Sequence, residues 1–256
     1  MPELPDLAVM ATRLEQKLAH HKLIDLKLHV DRKCKSSEQE LKEAFVGHSL
    51  KQVFREGKEL RFEFAGGNIL GLHLMLHGEI RLVNEDEETK FPILQLDFKD
   101  NILFLTDWQK QATPTLNPEK SAVPDALEIN AKWLKDVLAK KKTDVKTVLL
   151  DQKIVRGIGN SYSDEILYDA GISPLSIANV IPEKQVEVLA KSIHKVLTEE
   201  IKNLMNASED LIIGENRDFL KVHLPKTKTT KKGEEILISQ KGSRKTYYVE
   251  SQKRYE

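Results

Sequence analysis

The chain has 256 residues, of which 40% are hydrophobic, and its 40 basic side chains balance 40 acidic ones. This length allows one large or two modest domains with buried cores, and the neutral charge does not by itself indicate a polyanionic partner. A single cysteine, Cys34, excludes an intramolecular disulfide and a zinc site built from several cysteines. No apolar run is long enough to span a membrane and no signal peptide is evident, so we expect a soluble, intracellular protein in the cytoplasm.

The first half of the sequence predicts one helix followed by short strands. Apolar residues recur at helical spacing from Leu7 to Leu18, and Pro5 and Asp6 suit a helix start. Strand-like alternation follows over residues 23–30, 60–64, 69–83, 93–98 and 102–105. This order indicates an N-terminal β-sandwich domain with a leading helix, which we place at residues 1–112.

The second half is predicted to be mainly helical. Prolines in residues 113–130 indicate a linker between domains. Helical periodicity then covers residues 132–141, 144–151, 161–170 and 183–205, within a helical domain placed at residues 131–218. In the tail, residues 219–256, the segments 236–238 and 246–249 favour a β-hairpin. The predicted fold class is therefore α+β with two domains.

Two stretches are basic although the whole chain is neutral. Residues 131–160 hold eight Lys or Arg against three acidic residues, and residues 219–256 hold ten against four. Such stretches are compatible with contacts to a phosphate backbone, but solvated helix faces have a similar composition.

The N-terminal residues Met-Pro-Glu-Leu-Pro-Asp carry the first candidate chemistry. Removal of Met1 leaves Pro2 as a secondary amine, and an α-amino group has a reference pKa of about 7.7–8.0, against about 10.4 for a lysine. Such an amine condenses with an aldehyde to an iminium, which makes the neighbouring C–H acidic. Glu3 is placed to transfer protons. The alternative is an ordinary N-terminus with prolines at a helix start.

Three motifs in the same order resemble the formamidopyrimidine-DNA glycosylase / endonuclease VIII family. They are the N-terminal Met-Pro-Glu-Leu-Pro, the segment Gly-Ile-Gly-Asn-Ser-Tyr-Ser-Asp-Glu at residues 157–165, and Gly-Ser-Arg-Lys-Thr-Tyr-Tyr at residues 242–248. The resemblance implies a bifunctional DNA glycosylase and AP lyase that excises oxidised bases in base-excision repair. It implies a helix-two-turn-helix element in the helical domain, with Pro2 as the nucleophile that forms a Schiff base and Glu3 as the proton carrier.

The resemblance also implies which side chains contact DNA. Lys58 is expected to contact a phosphate and assist proton transfer, and Arg244 to hold the phosphates that flank the lesion. Leu76 is expected to fill the hole left by the everted base. The remaining DNA-binding candidates are His73, Lys110, Lys142 and Asn160, whereas Glu165 is expected to be structural. Four of these residues have an ordinary alternative: a lysine at the start of a strand for Lys58, a core residue for Leu76, a helix N-cap for Asn160 and a solvated side chain for Arg244.

Several residues depart from the family pattern. Gln109 and Gln111 stand where the family has an arginine and a phenylalanine, and Trp108 is either an alternative stacking residue or core. The segment 206–217 is short for a loop that covers 8-oxoguanine. Residues 226–232 and 248–252, where the bacterial family has four zinc-binding cysteines, contain none. The tail therefore resembles a zincless finger, and neither a metal nor another cofactor is expected.

The expected partner is damaged DNA, double-stranded or single-stranded, bound by a monomer with no membrane contact. Two alternatives remain open from the sequence. One is a catalytically impaired paralogue that binds damaged DNA, which the departures from the pattern favour. The other is a nucleic-acid-binding module that uses the helix-two-turn-helix fold for RNA or ribosome contact and does not need Pro2.

Overall fold

The computed structural model of the chain describes residues 1–84, 89–207 and 217–256. The chain divides into two compact units, one built mainly on residues 1–120 and the other on residues 121–203 and 217–256. Within the described ranges, no helix combines the length and the apolar character that crossing a membrane requires.

The first unit is a β-sandwich with a helix in front of it. Its elements are α1 (Leu4–Leu18), β1 (Leu23–Leu28), α2 (Glu38–Phe45), β2 (Leu50–Glu56), β3 (Glu59–Phe64), β4 (Ile69–His73), β5 (Glu79–Val83), β6 (Pro92–Phe98), β7 (Ile102–Thr106) and β8 (Thr113–Leu116). Among the described residues, the strands form two four-stranded antiparallel sheets, ordered β1-β6-β7-β5 and β2-β3-β4-β8. Both sheets and α1 share one core, to which Leu14, Phe62 and Leu96 contribute fully buried side chains. The predicted sandwich is confirmed.

Three elements of this unit were not predicted from the sequence: α2, β2 and β8. Strand β8 lies inside the stretch predicted to be linker, so the start of that linker at residue 113 is wrong. Thr113 pairs with His73 of β4, and Pro114 is tolerated because β8 is an edge strand of its sheet. Helix α2 does carry a sequence signal, since Ser37 and Glu40 form a capping box at its start.

The second unit contains the predicted helices. They are α3 (Ala131–Leu138), α4 (Val145–Leu150), α5 (Asn160–Asp169) and α6 (Glu183–Ala207), with a single 3-10 turn at Ala178–Val180 among the described residues. Asn130 and Asp144 cap α3 and α4, because their side chains accept hydrogen bonds from the N–H groups of Trp133 and Thr147. Of the segment 206–217 that was predicted to be short, residues 208–216 lie outside the described residues.

A two-stranded hairpin ends the second unit. It consists of β9 (Leu237–Lys241) and β10 (Arg244–Tyr248), which are antiparallel and joined by Gly242 and Ser243. The turn needs a residue with positive φ, and Gly242 supplies it at 62°. A small apolar cluster of Val222, Ile236, Tyr247 and Val249 packs against the hairpin. The predicted α+β fold class and the hairpin finger are confirmed.

Candidate nucleic-acid interface and active site

The N-terminal arm is held at the start of α1. Glu3 is the N-cap of the helix, and its N–H donates to Oδ2 of Asp6 over 2.8 Å. The helix therefore begins at Leu4, one residue before the predicted start. Pro2, Glu3 and Asp6 are buried, whereas Met1 is 36% exposed. This capping fixes the backbone of Glu3 and therefore the orientation of Pro2, which precedes the helix.

Pro2 lines a cavity of about 180 Å³ in the first unit. The other residues that line it are Met10, Leu76, His77, Gly78, Glu79 and Trp108. The structure thus brings together the candidate nucleophile and the candidate wedge residue, Leu76. Leu76 is 62% exposed and Trp108 is 58% exposed, so the alternative that these side chains are core residues is wrong.

The turn that carries Leu76 is shaped by a glycine. The N–H of Gly78 donates to the carbonyl of Leu74 over 2.8 Å. A Cβ atom at position 78 would lie only 2.2 Å from that carbonyl oxygen, so no other residue fits without a backbone shift. Met75 has a φ of 54°, which completes a tight turn with Leu76 on its outside.

The loop that follows β7 is organised around the buried carboxylate of Asp107. This carboxylate accepts hydrogen bonds from the N–H groups of Gln109, Gln111 and Ala112 at 2.8, 2.7 and 2.8 Å. Trp108, Gln109 and Lys110 are exposed as a result. The Trp108 ring also lies 5.0 Å from the ring of His77, which joins this loop to the turn that carries Leu76.

Lys58 and His73 are neighbours on the second sheet. Lys58 does not begin a strand but occupies the two-residue turn between β2 and β3, after Gly57, whose φ is 59°. The adjacent Glu59 pairs with His73 of β4. Burial lowers the pKa of His73, and the positive charge of Lys58 lowers it further. His73 is therefore neutral at pH 7, and its Nδ1 accepts the N–H of Met75 over 3.2 Å.

In the second unit, the structure brings Asn160 close to Arg244. Asn160 is the first residue of α5 and Gly159 is the N-cap, so the alternative that Asn160 is the N-cap is wrong. Its Nδ2 instead donates over 3.1 Å to the carbonyl of Lys245, the residue after Arg244. Gly157 has a φ of 102°, which only glycine adopts readily, and this turns the chain into α5.

Arg244 and Lys142 are the exposed cations of this region among the predicted site residues. Arg244 is the first residue of β10, directly after the hairpin turn. Within the described ranges, neither side chain makes a hydrogen bond or an ion pair. Exposed cations that have no partner among the described residues suit the binding of phosphate groups, and the residue after Arg244 contacts the first residue of α5.

The chain is similar to known proteins over most of its length. Residues 1–113 match the N-terminal domain of formamidopyrimidine-DNA glycosylase, and residues 121–210 match the H2TH domain of the same family. A formamidopyrimidine-DNA glycosylase from Carboxydothermus hydrogenoformans is 30% identical over 220 residues, which are 85% of this chain and 84% of that protein. The chain belongs to the formamidopyrimidine-DNA glycosylase family.

Other similar members of this family are bacterial as well. The formamidopyrimidine-DNA glycosylase of Lactococcus lactis is 29% identical over 214 residues, which are 79% of each chain. A crystal structure of the Lactococcus lactis Fpg protein with DNA that contains an abasic site superposes with a TM-score of 0.87 at 27% identity, and covers 98% of this chain and 100% of that one. Membership in the family places the chain among the DNA glycosylases that act in DNA repair.

Glu165, which lies in the family motif of α5, has the structural role expected from the sequence. Its carboxylate accepts hydrogen bonds from three consecutive N–H groups, those of Lys221, Val222 and His223, at 2.8–2.9 Å. It thereby ties the start of the tail to α5. The pKa of this carboxyl is raised because it is buried, although the three N–H groups oppose that effect.

The part of the tail where the bacterial family carries cysteines is held by hydrogen bonds. The Glu234 carboxylate accepts from the hydroxyl of Tyr168 over 2.6 Å and from the hydroxyl of Ser251 over 2.7 Å. Burial, together with the contact to Glu234, raises the pKa of Tyr168 to about 12. Among the described residues, no group of three or more His, Cys, Asp or Glu side chains could hold a metal ion.

Sequence reasoning missed a buried cluster beneath β10, formed by Lys146, Asp164 and His223. Asp164 lies inside the family motif, but its position there gives no indication of its partners. Lys146 is in one of the basic stretches, where the simplest expectation is a solvated lysine. A contact between residues so far apart in the sequence has no periodicity that could reveal it.

Proposed function

We propose that the protein is a bifunctional DNA glycosylase and AP lyase that excises oxidised bases, with the amine of Pro2 as nucleophile. The observation that carries the proposal is the position of Pro2. It lies next to the capped start of α1 and lines a cavity together with Leu76 and Trp108. Family membership supports the glycosylase step, and the amine chemistry of Pro2 accounts for the lyase step.

The reaction uses only residues of this chain. After Met1 is removed, the nitrogen of Pro2 attacks C1′ of the deoxyribose, the N–C1′ bond forms, and the bond to the damaged base breaks. Glu3 transfers protons during ring opening. The resulting iminium withdraws electrons, so a proton leaves C2′, the C3′–O bond breaks, and the 3′ phosphate departs by β-elimination. A free α-amine suits this role because much of it is unprotonated near its pKa of about 7.7–8.0.

We further propose how DNA is held. Lys58 and Lys110 of the first unit, and Lys142, Asn160 and Arg244 of the second, contact phosphates. Eversion of the damaged nucleotide costs a few kcal/mol, and an apolar wedge in the vacated space offsets that cost. Leu76 serves as this wedge. In our proposal the sandwich domain supplies the nucleophile and two of the phosphate contacts, while the helical domain (131–218) and the finger (219–256) supply the other three.

Trp108 extends the wedge. Gln109 and Gln111 replace the family's arginine and phenylalanine, so this loop lacks the usual base-contacting side chains. The exposed indole of Trp108, supported by His77, offers a flat apolar surface on which a base can stack. The amide of Gln109 can hydrogen-bond a base edge, but it lacks the fork of an arginine.

The proposed substrate is damaged DNA. Solved relatives are complexes of the Lactococcus lactis Fpg protein with DNA that contains an abasic site, and of MutM with DNA that contains carbocyclic 8-oxo-G. The similarity of these two proteins to this chain supports an oxidised or abasic nucleotide as the target here.

The test is borohydride trapping on DNA that contains an abasic site. Wild-type protein that lacks Met1 is expected to form a covalent adduct that peptide mapping assigns to Pro2. A matched protein with a short uncleaved extension before Pro2 carries an amide at that nitrogen. It is expected to bind the DNA and form no adduct.

Two outcomes would contradict the proposal. An adduct of equal yield in the extended protein would move the nucleophile to a lysine side chain. Binding of abasic DNA without any adduct in the processed protein would identify a catalytically impaired paralogue, the second candidate, which the replacements at Gln109 and Gln111 favour.

A further inference from the structure

A buried charged cluster lies beneath β10 and takes no part in the proposed reaction. Nζ of Lys146 in α4 lies 2.7 Å from Oδ1 of Asp164 in α5, and the two side chains are 5% and 0% exposed. Nδ1 of His223 lies 2.8 Å from the other carboxylate oxygen. We call these three residues the Asp164 cluster.

The Asp164 cluster holds the backbone of β10. Oδ2 of Asp164 accepts the N–H of Tyr247 over 3.1 Å. Nζ of Lys146 donates to Oγ1 of Thr246 over 3.0 Å and approaches the carbonyl of Lys245 at 3.4 Å. The cluster therefore contacts the three residues that directly follow Arg244.

The same strand is also held by a predicted DNA contact. The carbonyl of Lys245 accepts from both Asn160 and Lys146. Asn160 is thus linked to Arg244 through the adjacent residue Lys245, whose carbonyl is also contacted by Lys146, the ion-pair partner of Asp164. A shift of β10 must alter the spacing between the two proposed phosphate contacts.

The hairpin needs such support. A two-stranded hairpin is marginally stable by itself in water. The apolar cluster beneath it is small, and no metal-binding group of side chains is found in the described part of the chain. A buried ion pair is a poor source of stability because desolvation offsets most of its attraction, but its geometry is specific. We therefore attribute the buried ion pair of Lys146 and Asp164 to the need to hold β10 in one position.

We infer that Asp164 is a positioning residue that fixes β10, so that Arg244 and Asn160 form a preformed clamp for the phosphates beside the lesion. The inference rests on the proposed function. The side chain of Asp164 is fully buried, so DNA at the protein surface cannot reach it. Asp164 is expected to affect DNA binding only by positioning Arg244. A residue that only stabilises the fold would affect binding whether or not Arg244 is present, so the two roles can be distinguished by measurement.

The test is a double-mutant cycle on the full chain, with Asp164→Asn and Arg244→Met. Binding to duplex DNA with a tetrahydrofuran abasic analogue is measured at one salt concentration. Each single substitution is expected to weaken binding by about tenfold, since a coupling of about 1.4 kcal/mol corresponds to that factor. The double variant is expected to bind about as weakly as either single variant, because a displaced Arg244 has no contact left to lose.

The matched control is Asp169→Asn on the same helix. Asp169 pairs with the exposed Lys195 at 2.6 Å and touches neither strand of the hairpin. Its substitution is expected to leave binding unchanged and to add nothing to the effect of Arg244→Met. Additive effects of Asp164→Asn and Arg244→Met would overturn the inference, because a purely structural role lowers binding independently of Arg244.

If Asp164→Asn does not fold, the apolar pair Lys146→Met with Asp164→Leu replaces it, since such exchanges often keep stability. This variant loses the contacts to β10 and is expected to show the same coupling to Arg244. Recovery of wild-type binding in this pair would also overturn the inference. Failure of the proposed function is read separately, because it would appear as wild-type protein that forms no borohydride-trapped adduct, whatever the outcome of the binding cycle.

Discussion

Two hairpins of this protein, one in each unit, present a predicted phosphate-binding cation in nearly the same way. The turn between β2 and β3 begins with Gly57 at a φ of 59° and carries Lys58. The turn between β9 and β10 begins with Gly242 at a φ of 62° and is followed directly by Arg244. In both, a glycine in the left-handed region closes a two-residue turn, as the twist of paired strands requires.

The two hairpins differ in the contacts that hold them in place. Strands β2 and β3 belong to a four-stranded sheet, and the fully buried side chains of Leu60 and Phe62 anchor them in the large core. Strands β9 and β10 pair only with each other among the described residues, above a small apolar cluster and the Asp164 cluster. The same local geometry is therefore fixed by apolar burial in one unit and by buried charge in the other.

The largest expected effect is the loss of the apolar support in the first unit. Phe62→Ala is expected to lower the free energy of unfolding of the sandwich by about 3–5 kcal/mol, because a fully buried aromatic side chain leaves a cavity. Urea unfolding monitors the change. Ile24→Ala on β1, where the side chain is 57% exposed, is the control and is expected to change stability by less than about 0.5 kcal/mol. Equal losses of unfolding free energy in Phe62→Ala and Ile24→Ala would contradict the claim that apolar burial supports the β2–β3 hairpin.

Substitution of the turn glycines is expected to have a smaller effect. Gly57→Ala and Gly242→Ala should each cost about 1–2 kcal/mol, because an L-residue with a Cβ is strained at these φ values. At Gly242 the cost comes from the backbone alone, since no atom lies within 4 Å of an added Cβ. Amide hydrogen exchange of the paired strands measures it, and we expect faster exchange throughout β9–β10 but only near the turn in β2–β3.

Asparagine at the same positions is the control for strain, because it tolerates the left-handed region better than alanine does. Gly57→Asn and Gly242→Asn should exchange more slowly than the alanine variants. If alanine and asparagine behave alike, backbone strain is not the cause.

A still smaller effect concerns the electrostatics of Lys58. Lys58→Met is expected to raise the pKa of His73, because one of the two causes that lower it disappears while burial remains. In the wild-type protein, stability should fall as the pH drops below about 6.5, since the unfolded chain then binds a proton that the folded His73 resists. This fall should be shallower in Lys58→Met. An NMR titration of the His73 ring measures the shift, and Lys51→Met, an exposed lysine of β2 paired with Glu63, should not change it.

No effect at all is expected from a metal chelator. The tail lacks cysteines, and its contacts run through Asp164, Glu165 and Glu234. Hydrogen exchange of β10 and lyase activity should be unchanged after treatment with EDTA. A chelator-dependent loss of protection in β10 would show that a metal, and not buried charge, supports this hairpin.

Much of this architecture could be predicted from the sequence because it depends on neighbouring residues. The helices follow apolar periodicity and side-chain caps, and the glycine at 242 marks a turn between two strand-forming segments. The N-terminal motif and residues 157–165 already indicate the family, and residues 1–113 and 121–210 match its two domains.

The sequence alone could not place β8, because a proline normally argues against a strand and only the edge position in the sheet makes Pro114 acceptable. It also could not decide whether Leu76 and Trp108 are buried, since an apolar side chain looks the same in a core and in an exposed turn. The close approach of Gly78 to Leu74 and the hydrogen bonds to Asp107 shape the two loops so that Leu76 and Trp108 are exposed.

The division into strands followed by helices, the candidate nucleophile and the family could therefore be read from the sequence, because each depends on local patterns or on short motifs. The tertiary structure decided how the cations are held in place. Lys146 and Asp164 meet only when α4 and α5 pack together, and His223 and β10 join them from a distant part of the chain. Burial and pairing of charges depend on which residues meet in space, and that is fixed only when the chain has folded.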